Sequence, residues 1–290
     1  MTVDETLATR LIAEQFADLR GLPVRALASA GTVNGLFRVG DELVARFPFA
    51  PVPATELQDE ARAMAEFAAA TPFPAPASVG VGVPTEAYAS AWSVQTWVPG
   101  APATPDGFEG SDALVDDIVA LIAALRGVQV GARSFDGRGR GGDLRDHDDW
   151  MAECFARSEG LLDVERAHAL WERLRELGPS DAVAMSHRDL TPPNLLVESG
   201  RLAGVLDSGS FGPADRALDL VAAWHLFDAP RRARLRDALD VDEVEWLRGA
   251  AWAFQQAMGL GWYYVESNAT MSALGLSTMR RLVEDPELMP

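Results

Sequence analysis

The pattern of apolar residues changes character near Gly100, and that change narrows the architectures open to the chain. Before it, short runs with strand periodicity dominate: Val24–Ala28, Leu36–Val39, Leu43–Phe47 and Ala91–Val98. Gly40-Asp41 supplies a tight turn between the second and third runs, and Pro48–Pro53 ends that sheet. Thr2–Leu19 carries Leu7, Leu11, Ile12 and Phe16 on one helical face, and Thr55–Ala70 is a second helix closed by Thr71-Pro72. The first hundred residues thus read β-β-β-α-β. After Gly100, helices are predicted over Asp112–Arg126 (capped by Ser111), Asp148–Glu159, Val164–Leu177, Asp215–Asp228, Pro230–Asp237, Asp242–Val265 and Met271–Glu284. Only Val183–Ser186, Leu195–Glu198 and Leu202–Leu206 interrupt them as strands. A sheet-rich part followed by a helix-rich part predicts an α+β chain of two lobes, 1–98 and 99–290.

Charge removes several function classes. Asp plus Glu number 43 against 25 basic residues, a formal net charge of −18, so the surface repels nucleic acid and anionic lipid and suits a cationic small molecule. All 25 basic residues are arginine, which excludes Walker-A P-loops, Schiff-base lysines and Ser-Lys dyads. The single cysteine, Cys154, forbids an internal disulfide and points to a reducing, cytoplasmic setting. Its apolar helical context, MAECFAR, predicts a buried structural thiol. The segment MTVDETLATRL lacks the basic and apolar regions of a signal peptide, so no leader is expected. Gly249–Val265 is apolar but interrupted by Gln255 and Gln256, so it reads as a core helix and not a membrane span.

Other motifs carry less. Gly137–Gly142 matches G-x-G-x-x-G, yet neither a strand before it nor a βαβ unit around it is predicted, and DLRDHDD follows. It reads as a flexible loop between helices. The four histidines form no H-E-x-x-H, one cysteine cannot build a thiolate zinc site, and there is no G-x-S-x-G elbow.

The informative stretch is AMSHRDLTPPNLLVESGRLAGVLDSGSFGPADRALDL, Ala184–Leu220. A strand delivers His187-Arg188-Asp189 into a loop, Asn194 opens the next strand, and the chain turns at Ser199-Gly200 and returns to Asp207. A turn centred there pairs Asn194 with Val205 and leaves Asp207 a diagonal neighbour of Asn194, roughly 7–8 Å away. A carboxylate and a carboxamide oxygen can then converge on one magnesium ion, whose remaining ligands are waters and phosphates. Asp189 stays free to face a different atom.

This stretch resembles the kinase set H-R-D-x-x-x-x-N followed by Asp-x-Gly. Ser208 stands where D-F-G has Phe, and the few residues between Asp207 and Asp215 leave no room for an activation segment. The chain is more similar to the aminoglycoside phosphotransferase family of small-molecule kinases, whose G-x-x-x-D-x-x-x-D-L tail appears here as Gly209–Leu220 with a longer first spacing. NGLFRVGDELVARFP, WSVQTWVPG and AWAF…YYVESN extend the resemblance along nearly the whole chain.

The resemblance implies a bilobal, protein-kinase-like fold and transfer of phosphate from ATP or GTP to a hydroxyl, with magnesium. It implies a catalytic group of Asp189, Arg188 and His187, with Asp189 as base or orienting group; a third metal ligand or a cap is the other reading of Asp189. Asn194 and Asp207 become the metal ligands. Arg46 replaces the strand lysine that grips phosphates, with Glu60, ahead of Glu56 and Glu66, as its ion-pair partner; Arg46 could also be a plain surface arginine. Ser29–Gly35, with Gly31 and Asn34, takes the place of a phosphate-covering loop. The backbone of Gln95, Trp97 and Val98 takes the place of the segment that pairs with the base. An aminoglycoside-type acceptor is expected first, a macrolide or other metabolite second, and a non-catalytic nucleotide-binding module third. A monomer is favoured.

Overall fold

The computed structural model describes residues 3–27, 33–178 and 182–289. The chain divides into two compact units: 1–69 with 74–99 and 206–210, and 70–73 with 100–205 and 211–290.

The first unit is built on a five-stranded antiparallel sheet. Helix α1 (Glu5–Gln15) is capped by Asp4, whose carboxylate accepts from the Leu7 amide. Strands β1 (Val24–Ala26), β2 (Asn34–Val39) and β3 (Leu43–Pro48) form a meander, and α2 (Ala54–Ala70) follows. Strands β4 (Ser78–Gly82) and β5 (Trp92–Thr96) complete the order β1-β2-β3-β5-β4. The core lies between sheet and α1, where Leu11, Ile12, Phe37, Phe47, Tyr88 and Trp92 are buried and the Phe47 and Trp92 rings stack at 4.7 Å. Strand β4, SVGVG, was absent from the β-β-β-α-β reading. Its glycines lower strand propensity, but they are required by packing: a Cβ on Gly82 would lie 2.1 Å from Trp92.

The second unit is mostly helical. It contains β6 (Ala101–Pro102), α3 (Asp112–Arg126), α4 (Asp148–Arg157), α5 (Val164–Leu174), β7 (Val183–Ser186), β8 (Leu195–Glu198), β9 (Arg201–Val205) and β10 (Gly212–Asp215). Helices α6 (Val221–Leu226), α7 (Ala229–Ala238), α8 (Glu243–Tyr263) and α9 (Ala269–Val283) complete it. Ser111 caps α3 as expected, accepting from the Leu114 amide. Cys154 is buried, and burial pushes its thiol up to about 11, so it packs as an inert side chain.

Two expectations need correction. The helix expected over Asp215–Asp228 begins only after strand β10 and a 3-10 turn at Leu218–Leu220. Gly212–Asp215 pairs antiparallel with β7, and the Asp215 carboxylate takes the Ala217 amide at 3.0 Å, a side-chain bond that competes with helix. The β8–β9 hairpin turns at Ser199-Gly200 as expected, but the register shifts between Leu196 and Val197. The irregularity makes Leu195, not Asn194, the partner of Val205, and Asn194 ends a 3-10 turn, Pro192–Asn194.

Candidate active site

The loop after β7 is held from beneath by one buried carboxylate. Asp219, 3% exposed, accepts from Ser186 Oγ at 2.8 Å, the His187 amide at 3.0 Å and the Arg188 amide at 3.3 Å. His187 is fully buried and its Nδ1 receives the Asp189 amide at 3.3 Å, so it shapes the loop and does not face solvent. Arg188 sits at φ 69, a left-handed conformation that a non-glycine residue holds only when its surroundings impose it. Its guanidinium donates to Asp136 at 3.1 and 3.2 Å and to the Pro213 carbonyl at 2.7 Å, and lies over the Phe135 ring. Those partners make it a clamp on the 135–142 loop. Arg188 and His187, expected in the catalytic group, make contacts here that build the loop.

Asp189 is the group this loop presents. Its carboxylate is 35% exposed and receives three side-chain donors: Arg140 Nη2 at 2.9 Å, Gln256 Nε2 at 2.7 Å and Asn194 Nδ2 at 2.9 Å. Asn194 Nδ2 also donates to the Asp189 carbonyl at 2.9 Å and lies 3.4 Å from Thr191 Oγ1. Oxygen acceptors on every side of the nitrogen fix the amide's orientation, because a flip would set oxygen against oxygen. The Asn194 Oδ1, the only atom of that side chain able to bind a cation, is thereby pointed away from Asp189.

Arg140 was missed because the glycine-rich loop read as flexible. It is docked instead. The Gly141 carbonyl accepts from the Asp215 amide at 2.9 Å, and Gly141 has φ 117 with room only for hydrogen, a Cβ there falling 2.7 Å from Ala214 Cβ. The Gly142 carbonyl accepts from Arg248, whose guanidinium is bound to Asp215 at 2.6 Å with both side chains at most 2% exposed. The signal for Arg140 was an arginine among glycines. Gln256 had read only as a break in an apolar helix, yet a buried carboxamide demands a partner, and that demand was the signal.

The first unit carries the other expected residues. Arg46, on β3, pairs through Nη2 with Asp207 Oδ1 at 3.0 Å, the side chains 17% and 48% exposed. Asp207 holds φ 59, another left-handed position. The expected Arg46–Glu60 ion pair is corrected: Arg46 reaches Asp207, and Glu60 on α2 lies within electrostatic range of both. Burial, against the pull of Arg46 and with the push of Asp207 and Glu56, raises the Glu60 carboxyl above its usual range. Glu60 also packs on the Asp207–Gly209 turn, a Cβ on Gly209 meeting its Cβ and Cγ at 3.1 Å. Asn34 opens β2 opposite Pro48, while Gly31 lies outside the described residues.

Gln95 pairs opposite Val44 in a ladder that ends at Leu43 and Thr96, and the Thr96 and Trp97 amides donate to Ala77 and Glu42 carbonyls at 2.9 and 2.7 Å. The Val98 amide has no backbone acceptor among the described residues. Trp97 stacks under Arg38 at 3.9 Å. Among the described residues no three His, Cys, Asp or Glu side chains gather as a metal cluster, and no helix is long and apolar enough to cross a membrane.

Comparisons with known proteins bear on the fold and the family. An aminoglycoside 2'-phosphotransferase solved with GDP covers 96% of this chain and 98% of its own at 17% identity, with a TM-score of 0.70. A macrolide 2'-phosphotransferase from Brachybacterium faecium covers 95% and 97% at 17% identity, with a TM-score of 0.61. At such identities the likeness shows the fold. An aminoglycoside 3'-phosphotransferase from Escherichia coli is 28% identical over 152 residues, 47% of this chain, and the chain spans about half, 52%, of that relative's length. The phosphotransferase enzyme family matches residues 25–252, the segment that holds Arg46, Glu60, Asp189, Asn194 and Asp207. The chain belongs to the phosphotransferase enzyme family.

Proposed function

We propose that the chain transfers the γ-phosphoryl group of ATP or GTP to a hydroxyl of a small molecule, with Asp189 orienting that hydroxyl. The observation carrying this reading is a partly exposed carboxylate held by three donors at the head of a loop that other residues are spent on shaping. Phosphoryl transfer has a loose transition state, so aiming the attacking oxygen matters more than removing its proton early. A carboxylate accepts the hydroxyl's hydrogen bond and takes the proton late.

Asp207 and Asn194 are proposed as the magnesium ligands. The donor set fits: Asp207 offers a half-exposed carboxylate, and Asn194 a carboxamide oxygen whose nitrogen is already engaged. Bound magnesium would neutralise phosphate oxygens. Arg46 would bind the phosphates bidentately and always charged, and the Gln95–Val98 backbone would meet the base, with the Val98 amide as its donor. The lone buried thiol fits a reducing compartment such as the cytoplasm, and a monomer is the form we propose.

For the acceptor, the net charge of −18 favours a cation, and related folds have been solved with kanamycin, gentamicin and streptomycin. An aminoglycoside is therefore the first candidate. One observation favours a less cationic acceptor such as a macrolide: Arg140 already sets a positive charge on Asp189. The test is acceptor-dependent consumption of ATP and GTP, with and without magnesium, across those aminoglycosides and a macrolide. Nucleotide binding without consumption on any hydroxylated acceptor would contradict the reading.

A further inference from the structure

Helices α6, α8 and α9 contribute one buried side chain each to a hydrogen-bonded chain that ends on Asp189. Thr278 Oγ1 lies 2.8 Å from His225 Nδ1, His225 Nε2 lies 3.1 Å from Gln256 Oε1, and Gln256 Nε2 donates to Asp189 Oδ1 at 2.7 Å. Thr278 and His225 are fully buried and Gln256 is 8% exposed.

Every proton in this chain can be assigned from its end. An ionised carboxylate only accepts, so Gln256 must turn its NH2 towards Asp189 and its oxygen towards His225. His225 Nε2 must then carry hydrogen. The ring is held neutral by full burial, which lowers its pKa to about 4 against smaller opposing influences from Gln256 and Asp189; Arg140 and Arg281 lower it further. Nδ1 is therefore an acceptor, and Thr278 donates its hydroxyl to it. No member can reverse without leaving a buried polar atom facing its own kind.

This directionality has a consequence at Asp189. A carboxylate offers about four lone-pair sites, two on each oxygen. Oδ1 has both filled, by Gln256 and Arg140, whereas Oδ2 has one filled, by Asn194. We propose that Gln256, held by His225 and Thr278, is a positioning residue that saturates Asp189 Oδ1 and leaves Oδ2 as the oxygen that receives the acceptor hydroxyl. This rests on the reading of Asp189 given above. Arg140 reaches Oδ1 from a surface loop, but Gln256 reaches it from the packed core, and it is the core that sets the carboxylate's rotation.

The test has two arms. Nitrogen NMR of the whole chain should show His225 as the neutral Nε2–H tautomer, with no titration between about pH 5 and 8. An Nδ1–H tautomer, or titration in that range, would overturn the chain of bonds whatever the enzyme does. In the second arm, Gln256→Met keeps the volume and removes the donor. Magnesium-dependent nucleotide consumption with the panel above should fall about 10–100-fold, the effect of losing a hydrogen bond to a charged group, with the nucleotide KM within about twofold of the parent. A residue that only supported the fold would lower the thermal midpoint without that split. Gln256→Glu, which keeps the shape but sets an acid against Asp189, should lose at least as much and serves if the Met variant does not fold. Turnover within about twofold of the parent in either folded variant would overturn the proposal. Asp189→Asn is run alongside: if it keeps full turnover, the reading of Asp189 fails, while the tautomer still reports on the buried chain.

Discussion

Two aspartates lie on the stretch between β7 and β10, and they are held in opposite ways. Asp189 receives three side-chain donors, one from the packed core and one from a glycine-rich loop that is itself tied down by Asp215 and Arg248. Asp207 is 48% exposed, sits at φ 59, and pairs with Arg46 as its one cationic partner among the described residues. A group that must aim an atom needs its rotation fixed before the reaction starts. A group that binds a hydrated cation needs open lone pairs and a partner it can share. We read the difference as a division of roles, Asp207 and Arg46 serving nucleotide charge and Asp189 serving the acceptor.

The largest expected effect breaks the lightly held side. Asp207→Ala should lower magnesium-dependent turnover by about 10³-fold or more while the thermal midpoint changes little, because a half-exposed carboxylate contributes little to stability. Undiminished magnesium-dependent activity would remove Asp207 from the site.

The next breaks the support under the rigid side. Asp215 accepts from Arg248 Nε at 2.7 Å, Trp252 Nε1 at 2.8 Å and the Ala217 amide at 3.0 Å, all buried. Asp215→Ala strands a buried guanidinium and should cost about 3–5 kcal/mol in denaturant unfolding. A loss below about 1 kcal/mol would mean that the 135–142 loop is not anchored through this pair.

A smaller effect sharpens the division. Arg46→Ala should raise the nucleotide KM about tenfold and leave the acceptor KM nearly unchanged. The opposite split, read from initial rates with each substrate varied, would move Arg46 to acceptor binding.

A further one concerns acid stability of the core behind Asp189. His225 has its folded pKa lowered from 6.5 to about 4, mainly by burial. A depressed value means the unfolded chain binds the proton first, so the neutral ring's contribution is whole above pH 6.5 and is lost as pH falls towards 4. That loss amounts to about 3 kcal/mol. Unfolding free energies of the parent and His225→Gln should diverge above pH 6.5 and converge near pH 4. Parallel curves would show that His225 is not buried neutral.

Much of this was legible in the sequence, and what was not follows a pattern. Asp189, Asn194 and Asp207 were singled out because they fall on one short stretch, Ala184–Leu220, whose strand, loop and hairpin spacing is legible locally. Arg140, Gln256 and His225 were not, because only tertiary packing brings them to Asp189 from the 135–142 loop, α8 and α6. Residues that looked like defects in a pattern, an arginine among glycines and a glutamine in an apolar helix, turned out to be the supports. Strand β4 escaped for a related reason: its glycines are dictated by the Phe16 ring packed against Gly80 and the Trp92 ring packed against Gly82, and not by strand propensity. The Arg46–Glu60 pair was expected by analogy, and the structure gives Arg46 to Asp207 instead.

The division of labour is tested most directly on Asp189→Asn, with nucleotide affinity by calorimetry and acceptor phosphorylation by coupled assay on the same preparation. An amide at this position has too little proton affinity to take a hydroxyl hydrogen, so phosphorylation should fall by about 10²–10⁴-fold while nucleotide and magnesium affinity stay at the parent's level. Affinity falling together with turnover would make Asp189 a metal ligand and erase the contrast with Asp207; near-parent turnover would take Asp189 out of the reaction.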